Sequence, residues 1–186
     1  MNTHELECLV RKTYYHEGEY AHFARVFSSD NIPHEFDAWP ATLIANTDPA
    51  DEPGEHWVAM YQHRQHAPIE FFDSYGNNPL DYDMHLPFDV DIINTHQLQH
   101  DASRACGHYC VYFVTLRPLA STAHSLIAYL RGNSRITPSE RDEAAKDFVS
   151  HQLSRYPFTP ICNPSHEHAQ CCISKSVYSR KHALKQ

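Results

Sequence analysis

The sequence predicts one globular domain that mixes helix and strand. Three observations carry that expectation. Short apolar runs rich in β-branched and aromatic residues cluster between residues 42 and 73, apolar residues near the N-terminus fall at helical spacing, and a capped helix start stands at Thr137. A length of 186 residues with 41% hydrophobic and 20% charged residues supports one sizeable core and is too short for two ordinary domains.

Residues 2–12 (NTHELECLVRK) place Leu6, Leu9 and Val10 on one helical face. Residues 14–40 show no clear period. Residues 42–45 (TLIA) read as a short buried strand, and the turn signals Asn46-Thr47-Asp48-Pro49 and Glu52-Pro53-Gly54 make the next stretch a loop. Residues 56–62 (HWVAMYQ) and 69–73 (IEFFD) read as the two strands of a hairpin. Pairing Gln62 with Ala67 leaves the four-residue loop His63-Arg64-Gln65-His66, with both histidines solvated. That register predicts that His56 and Asp73 stand directly opposite each other on one face.

Ser74-Tyr75-Gly76-Asn77-Asn78-Pro79 is a turn, and residues 80–100 resist assignment. Residues 106–116 (CGHYCVYFVTL) are apolar on nearly every face, so the segment is buried. Periodicity does not decide between helix and strand there, and the aromatic and β-branched content leans toward strand. Thr137-Pro138-Ser139-Glu140 is a capping box with proline at the first helical position, and Ala144, Phe148 and Val149 follow at helical spacing.

The longest uninterrupted apolar stretch is residues 109–114, far short of the roughly 20 residues a spanning helix needs. The first residues carry His4, Glu5 and Glu7 instead of an apolar signal core, so the chain is expected to be neither membrane-bound nor secreted. The net charge of −8 is unevenly divided. Residues 1–101 hold four basic and 18 acidic residues, and residues 102–186 hold eleven basic and five acidic, giving −14 and +6. This split fits an acidic flank neutralised by a basic one in the fold, or a polyanion-binding surface in the C-terminal part. The last fifteen residues carry Lys175, Arg180, Lys181 and Lys185 and no acid. The expected organisation is therefore a domain over 1–170 and a basic tail over 171–186.

Cysteines stand at positions 8, 106, 110, 162, 171 and 172. Without a signal segment the expectation is reduced thiols, each a nucleophile, a ligand or a small core residue; Cys110 is assigned to the core. Cys162, His166, His168, Cys171 and Cys172 crowd into eleven residues, enough ligands for a tetrahedral zinc ion. The spacing matches no standard finger and adjacent cysteines rarely share an ion, so a polar loop without metal is expected. A zinc-stabilised nucleic-acid-binding module without catalysis is the non-enzyme alternative.

The set that carries chemistry is His56, Asp73, Gln99 and Cys106. A thiol attacks a carbonyl only as thiolate, and an ordinary cysteine is mostly protonated at neutral pH. A neighbouring imidazole takes that proton and later returns it to the leaving amine. A carboxylate on the far ring nitrogen fixes the tautomer and favours the cation. An amide aimed at the developing oxyanion completes the site, and losing one such donor typically costs about 3 kcal/mol. Gly107, directly after the cysteine, would let a substrate backbone approach closely. As bare residue types these groups also read as core or turn: among 16 histidines a His–Asp pair arises by chance, a buried cysteine before glycine is commonly core, and Asp73 could simply cap the following turn.

Their local context is more specific. It comprises Asn46-Thr47-Asp48-Pro49 followed by Pro53-Gly54-Glu55-His56-Trp57-Val58-Ala59, then Phe71-Phe72-Asp73-Ser74-Tyr75-Gly76, then Gln99 with six residues to Cys106-Gly107-His108-Tyr109-Cys110. A weaker block, Phe27-Ser28-Ser29-Asp30-Asn31-Ile32-Pro33, lies upstream. In combination these blocks resemble the adenovirus-type cysteine proteases (adenain) and their relatives in other animal DNA viruses and virus-like transposons. No motif-level match extends beyond residue 120.

The resemblance implies His56 as base, Asp73 as its orienting carboxylate and Cys106 as nucleophile. It implies Gln99 in an oxyanion hole with the backbone N–H of Cys106, and Trp57 lining the cleft beside the base. It further implies an α+β fold in which a mixed sheet packs on a central helix that starts at Cys106. The implied function is a monomeric endopeptidase that cleaves viral precursor and capsid proteins during virion maturation, in the virion and host nucleus. No cofactor is required by the sequence. The resemblance names DNA and a viral peptide as candidate activators, with DNA meeting the basic C-terminal region. That family tethers its peptide through a cysteine between the acid and the glutamine, and residues 74–98 contain none. SUMO- and ubiquitin-like-specific proteases resemble the same blocks with one residue fewer between Gln and Cys. A deubiquitinase or SUMO-type isopeptidase is thus the enzymatic alternative.

Overall fold

The structure, a computed structural model, describes residues 1–16, 23–132 and 135–155. Over these residues the elements run α1 (Thr3–His16), β1 (Phe23–Phe27), β2 (Ala41–Asn46), β3 (Trp57–Gln62), β4 (Ile69–Phe72), β5 (Val90–Ile92), α2 (Cys106–Leu116), α3 (Ala123–Arg131) and α4 (Pro138–Arg155). Short 3₁₀ turns occupy Ser29–Asn31, Pro79–Tyr82 and Arg117–Leu119. This is a single α+β domain. No helix among the described residues is long and apolar enough to cross a membrane.

The five strands form one mixed sheet in chain order. β1 runs parallel to β2, β2 and β3 are antiparallel, β3 and β4 are antiparallel, and β4 and β5 are parallel. Both faces of the central strands are buried, and the period of two sorts their side chains. Ile44, Trp57, Ala59, Tyr61 and Phe72 pack with the helices. Leu43, Ala45, Val58, Met60, Ile69 and Phe71 pack beneath Phe36 and Met84 on the other face.

α2 is the keystone of the helical face. Its Cys106, Gly107, Tyr109, Cys110, Val111, Tyr112, Phe113 and Val114 are all buried, which explains an apolar pattern without amphipathic period. It is a helix, contrary to the lean of its β-branched and aromatic content, because burial on all sides overrides that weak propensity. Phe113 stacks on Phe72 of β4, with ring centroids 4.8 Å apart. At its far end Arg117 forms a bidentate pair with Glu70, Nε to Oε2 at 2.5 Å and Nη2 to Oε1 at 2.7 Å. The Arg117 guanidinium also lies 4.4 Å above the Tyr61 ring centroid. These contacts fix the helix against β3 and β4, and so fix where its N-terminus falls.

Reciprocal caps open α1 and α4. Asn2 and Glu5 exchange bonds of 2.9 Å around the start of α1. Thr137 and Glu140 do the same for α4, at 2.7 and 3.3 Å. Leu6, Leu9 and Val10 of α1 are buried as their spacing predicts.

The hairpin register differs from the predicted one. Ala59 pairs with Phe72, Met60 with Phe71 and Tyr61 with Glu70, two residues away from the pairing of Gln62 with Ala67. Pro68 is the physical reason. β4 lies between β3 and β5, and a proline inside it would leave a ladder position without its N–H donor. Pro68 therefore stays just ahead of the strand, and the connection lengthens to residues 63–68. His66 takes a left-handed conformation (φ 61°) in that connection, and Gln62 Nε2 closes it on the Ala67 carbonyl at 2.7 Å.

Candidate active site

A register slip of one would have turned the hairpin's faces over; the observed slip of two keeps them. The β3–β4 ladder ends at Ala59 and Phe72, so His56 and Asp73 lie beyond it. The imidazole still spans the gap: His56 Nε2 lies 2.5 Å from Asp73 Oδ1. Direct opposition in the ladder is thus corrected to a side-chain contact beyond its end, with the same two side chains meeting.

Asp73 is fully buried and its carboxylate is saturated. Besides His56, Oδ1 accepts the Tyr75 backbone N–H at 3.2 Å. Oδ2 accepts the Asn77 backbone N–H at 3.0 Å and the Tyr82 hydroxyl at 2.9 Å. Asn94 Nδ2 donates to the Asp73 carbonyl at 2.6 Å. Asp73 therefore does cap its turn, and it orients the imidazole as well. Gly76 makes this turn feasible: its φ is +80°, and a Cβ there would lie 2.6 Å from the backbone nitrogen of His96.

The rings of Tyr75 and Tyr82 lie against the imidazole, with centroid distances of 4.9 and 5.5 Å. Burial opposes the imidazolium form. Hydrogen bonds to Asp73 and Cys106 and their negative charge outweigh it, raising His56 to about 9. The aromatic faces add a further preference for the cation.

Cys106 is the first residue of α2. Its preceding residue Ala105 offers no side-chain cap, so the free backbone donors of the first turn favour a negative sulfur. Burial would push the thiol up. The hydrogen bond and charge of His56, joined by the backbone N–H groups of Trp57 and Gly107, bring it below its ordinary value. With Nε2 committed to Asp73, Nδ1 is the ring nitrogen left for Cys106. Cys110, one turn further on, is fully buried and its thiol is pushed well up, chiefly by desolvation, as a core cysteine's should be.

Gln99 is also buried, and it reaches the site through Ser74. Its backbone N–H and that of Leu98 donate to the Ser74 carbonyl at 3.1 and 2.8 Å. Its Oε1 accepts the Ser74 hydroxyl at 2.8 Å. Its Nε2 donates to the Tyr75 hydroxyl at 3.0 Å and to the Ser103 carbonyl at 2.9 Å. Both amide hydrogens are thus engaged, and the Tyr75 hydroxyl is the partner that an incoming oxyanion would have to displace.

Trp57 leaves β3 on the helical side and donates from Nε1 to the Met1 carbonyl at 3.3 Å. It borders a cleft of ≈ 480 Å³ whose other walls include Asn2, Phe27, Asn46, Pro53 and Gly54. His56, Asp73, Gln99 and Cys106 are not among the lining residues; the cleft adjoins them through Trp57. Gly107 packs against the N-terminal segment. A Cβ there would meet the Met1 side chain at 3.2 Å and Leu6 at 3.6 Å, so the missing side chain admits the N-terminal segment.

The His56, Asp73, Gln99 and Cys106 positions, singled out from sequence, thus converge, with Trp57 alongside. Sequence reasoning missed Tyr75 and Tyr82 as partners of the imidazole, Ser74 as the link to Gln99, and Asn94. Tyr75 stood in a quoted motif without a role, and Tyr82 sits in a segment with no periodic signal. Among the described residues no group of three or more His, Cys, Asp or Glu side chains could hold a metal ion. The crowded set Cys162, His166, His168, Cys171 and Cys172 lies outside the described residues, as does the basic tail. No family model matches the chain, and no curated protein matches it.

Proposed function

We propose that this chain is a cysteine endopeptidase of the adenovirus type, with the adenain-like arrangement of a mixed sheet on a helix that begins at the nucleophile. The observation that carries the proposal is buried Asp73 2.5 Å from His56 Nε2, with Cys106 as the first residue of α2 and its thiol and the imidazole each favouring the charged form of the other.

The reaction follows from that geometry. The Cys106 thiolate attacks a peptide carbonyl while His56 holds its proton on Nδ1. The oxyanion takes the place of the Tyr75 hydroxyl at Gln99 Nε2 and accepts the Cys106 backbone N–H as well. Collapse breaks the C–N bond, and His56 passes its proton to the departing amine. A thioester remains on Cys106. Neutral His56 then takes a proton from water, the resulting hydroxide attacks the thioester, and the acid product leaves with the thiolate restored. Asp73 keeps the ring oriented and stabilises the imidazolium throughout.

Viral precursor proteins are the substrates this reading names, cut during particle maturation in the virion and host nucleus. DNA acting through the basic tail, or a viral peptide, is its candidate activator. Comparing wild type with Cys106→Ala on a capsid-precursor peptide library tests it. Cleavage by the wild type alone supports the endopeptidase. Fast cleavage of a diglycine-terminated modifier fusion, with no cleavage of the library, would replace it with the isopeptidase reading.

A further inference from the structure

Gln99 can serve an oxyanion only if its backbone is held still, and the structure bonds every peptide group around it. The Gln99 N–H goes to the Ser74 carbonyl at 3.1 Å, and the Gln99 carbonyl accepts Gln97 Nε2 at 3.0 Å. The two outer groups are taken by α4, an element beyond all the motif blocks. Arg141 Nε donates to the Leu98 carbonyl at 3.0 Å. The His100 N–H is shared between both oxygens of Asp142, each at 3.3 Å. Tyr109 of α2 locks the clamp from below: its hydroxyl donates to Asp142 Oδ1 at 3.0 Å and approaches the Leu98 carbonyl at 3.4 Å.

Asp142 is only 2% exposed. A carboxylate so buried is costly unless its acceptors are used, and here they are used on the peptide that follows Gln99. We propose that Asp142, with Arg141 beside it, is a positioning residue that orients Gln99 for the oxyanion, so that α4 belongs to the catalytic apparatus. The inference rests on the protease reading for its chemistry and on the hydrogen bonds alone for its geometry. Asp142 touches neither the nucleophile nor the base. Its loss should therefore lower the rate of the chemical step and leave substrate binding and thiol reactivity as they were.

The test uses the full chain with Asp142→Ala, Asp142→Asn and Arg141→Met. Rates are expressed per folded molecule, with the folded fraction of each variant fixed by its denaturant unfolding curve. Asp142→Ala is expected to lower kcat about 10- to 100-fold with KM within about twofold and the Cys106 alkylation rate unchanged. Asp142→Asn should recover most of the activity, because an amide oxygen still accepts the His100 N–H. Arg141→Met, on a half-buried side chain, should lower kcat in the same manner and covers the case in which Asp142→Ala does not fold. Unchanged kcat per folded molecule in Asp142→Ala or Arg141→Met overturns the proposal, as does equal loss in the Ala and Asn variants. Hydrogen exchange at the His100 amide separates the two claims. Fast exchange in the wild type overturns the clamp even if the enzyme is active. Slow wild-type exchange that becomes fast in Asp142→Ala, in a chain that cleaves nothing, upholds the clamp and overturns the protease.

Discussion

Gln99 donates its side-chain amide to the Tyr75 hydroxyl at 3.0 Å, while the ring of Tyr75 lies 4.9 Å from the imidazole of His56. One tyrosine therefore covers both the base and the proposed oxyanion donor. The hydroxyl competes with an oxyanion for that donor, and the ring supports the imidazolium.

Tyr75→Phe separates these effects because it keeps the ring. A competing hydrogen bond is worth about 0.5–1.5 kcal/mol net, so its removal should raise kcat/KM about two- to tenfold. Steady-state cleavage of a peptide substrate measures this. A fall in rate would instead mean that the hydroxyl itself donates to the oxyanion.

Asp73→Asn leaves a side chain of the same size but removes the charge that stabilises the His56 cation. The expected loss in kcat is about 10²- to 10⁴-fold. Tyr82→Phe removes one of the hydrogen bonds to Asp73 Oδ2 and should cost only a few-fold. Single-turnover rates of the two variants check the order; an Asp73→Asn enzyme as fast as wild type would remove Asp73 from the mechanism.

Stability should depend on pH in a way that only the thiolate–imidazolium pair produces. His56 is raised from 6.5 to about 9, so its contribution is fully present below about 6.5 and is lost as pH rises through about 9. Cys106 is lowered from 9.0, so its contribution is present above about 9 and is lost as pH falls through the lower folded-state value. Between these limits the folded protein keeps one proton on His56, and the unfolded chain keeps one on the thiol. Wild-type stability should therefore be nearly flat wherever the thiolate–imidazolium pair is formed, up to about pH 8.5. Cys106→Ala removes the compensating proton while Asp73 still raises His56, so that variant should lose stability across the same window. Urea midpoints at pH 6.5, 7.5 and 8.5 test this, and parallel pH dependence in the two proteins would contradict it.

Glu70→Ala strands the Arg117 guanidinium, whose side chain is 10% exposed, above the Tyr61 ring. Removing one partner of such a pair should cost about 2–4 kcal/mol. Activity should fall with it as α2 loses the anchor at its far end and its start shifts. Denaturant unfolding measures the first effect, and a stability within about 0.5 kcal/mol of wild type would show that the pair does not anchor the helix.

Much of the site was legible because its chemistry is local in sequence. His56 and Asp73 flank strands that their apolar runs already mark, and a hairpin brings such positions together across a range of loop lengths. The register was not legible, because loop-length frequency favours the shorter turn, whereas Pro68 excludes itself from a strand paired on both sides. The helical state of residues 106–116 was not legible from periodicity, since a segment buried all round carries no period. The resemblance supplied it instead. Residues 80–100 order through polar contacts, such as the Asn78 and Asp81 capping pair at 2.8 Å and the Asn94 bonds, which leave no hydrophobic pattern. Asp142 was invisible for a related reason. On α4 it looks like any charged residue after a capping box, and only the fold reveals that it faces the backbone beside Gln99.

The central claim is that Cys106 is held as a thiolate by His56. The most direct measurement is the rate of Cys106 alkylation by iodoacetamide from pH 5 to 9 in wild type and His56→Ala. Wild-type Cys106 should react below the ordinary thiol range, already at pH 6. His56→Ala should react appreciably only as pH approaches about 8.5. Superimposable profiles, both rising only near pH 8.5, would contradict the claim.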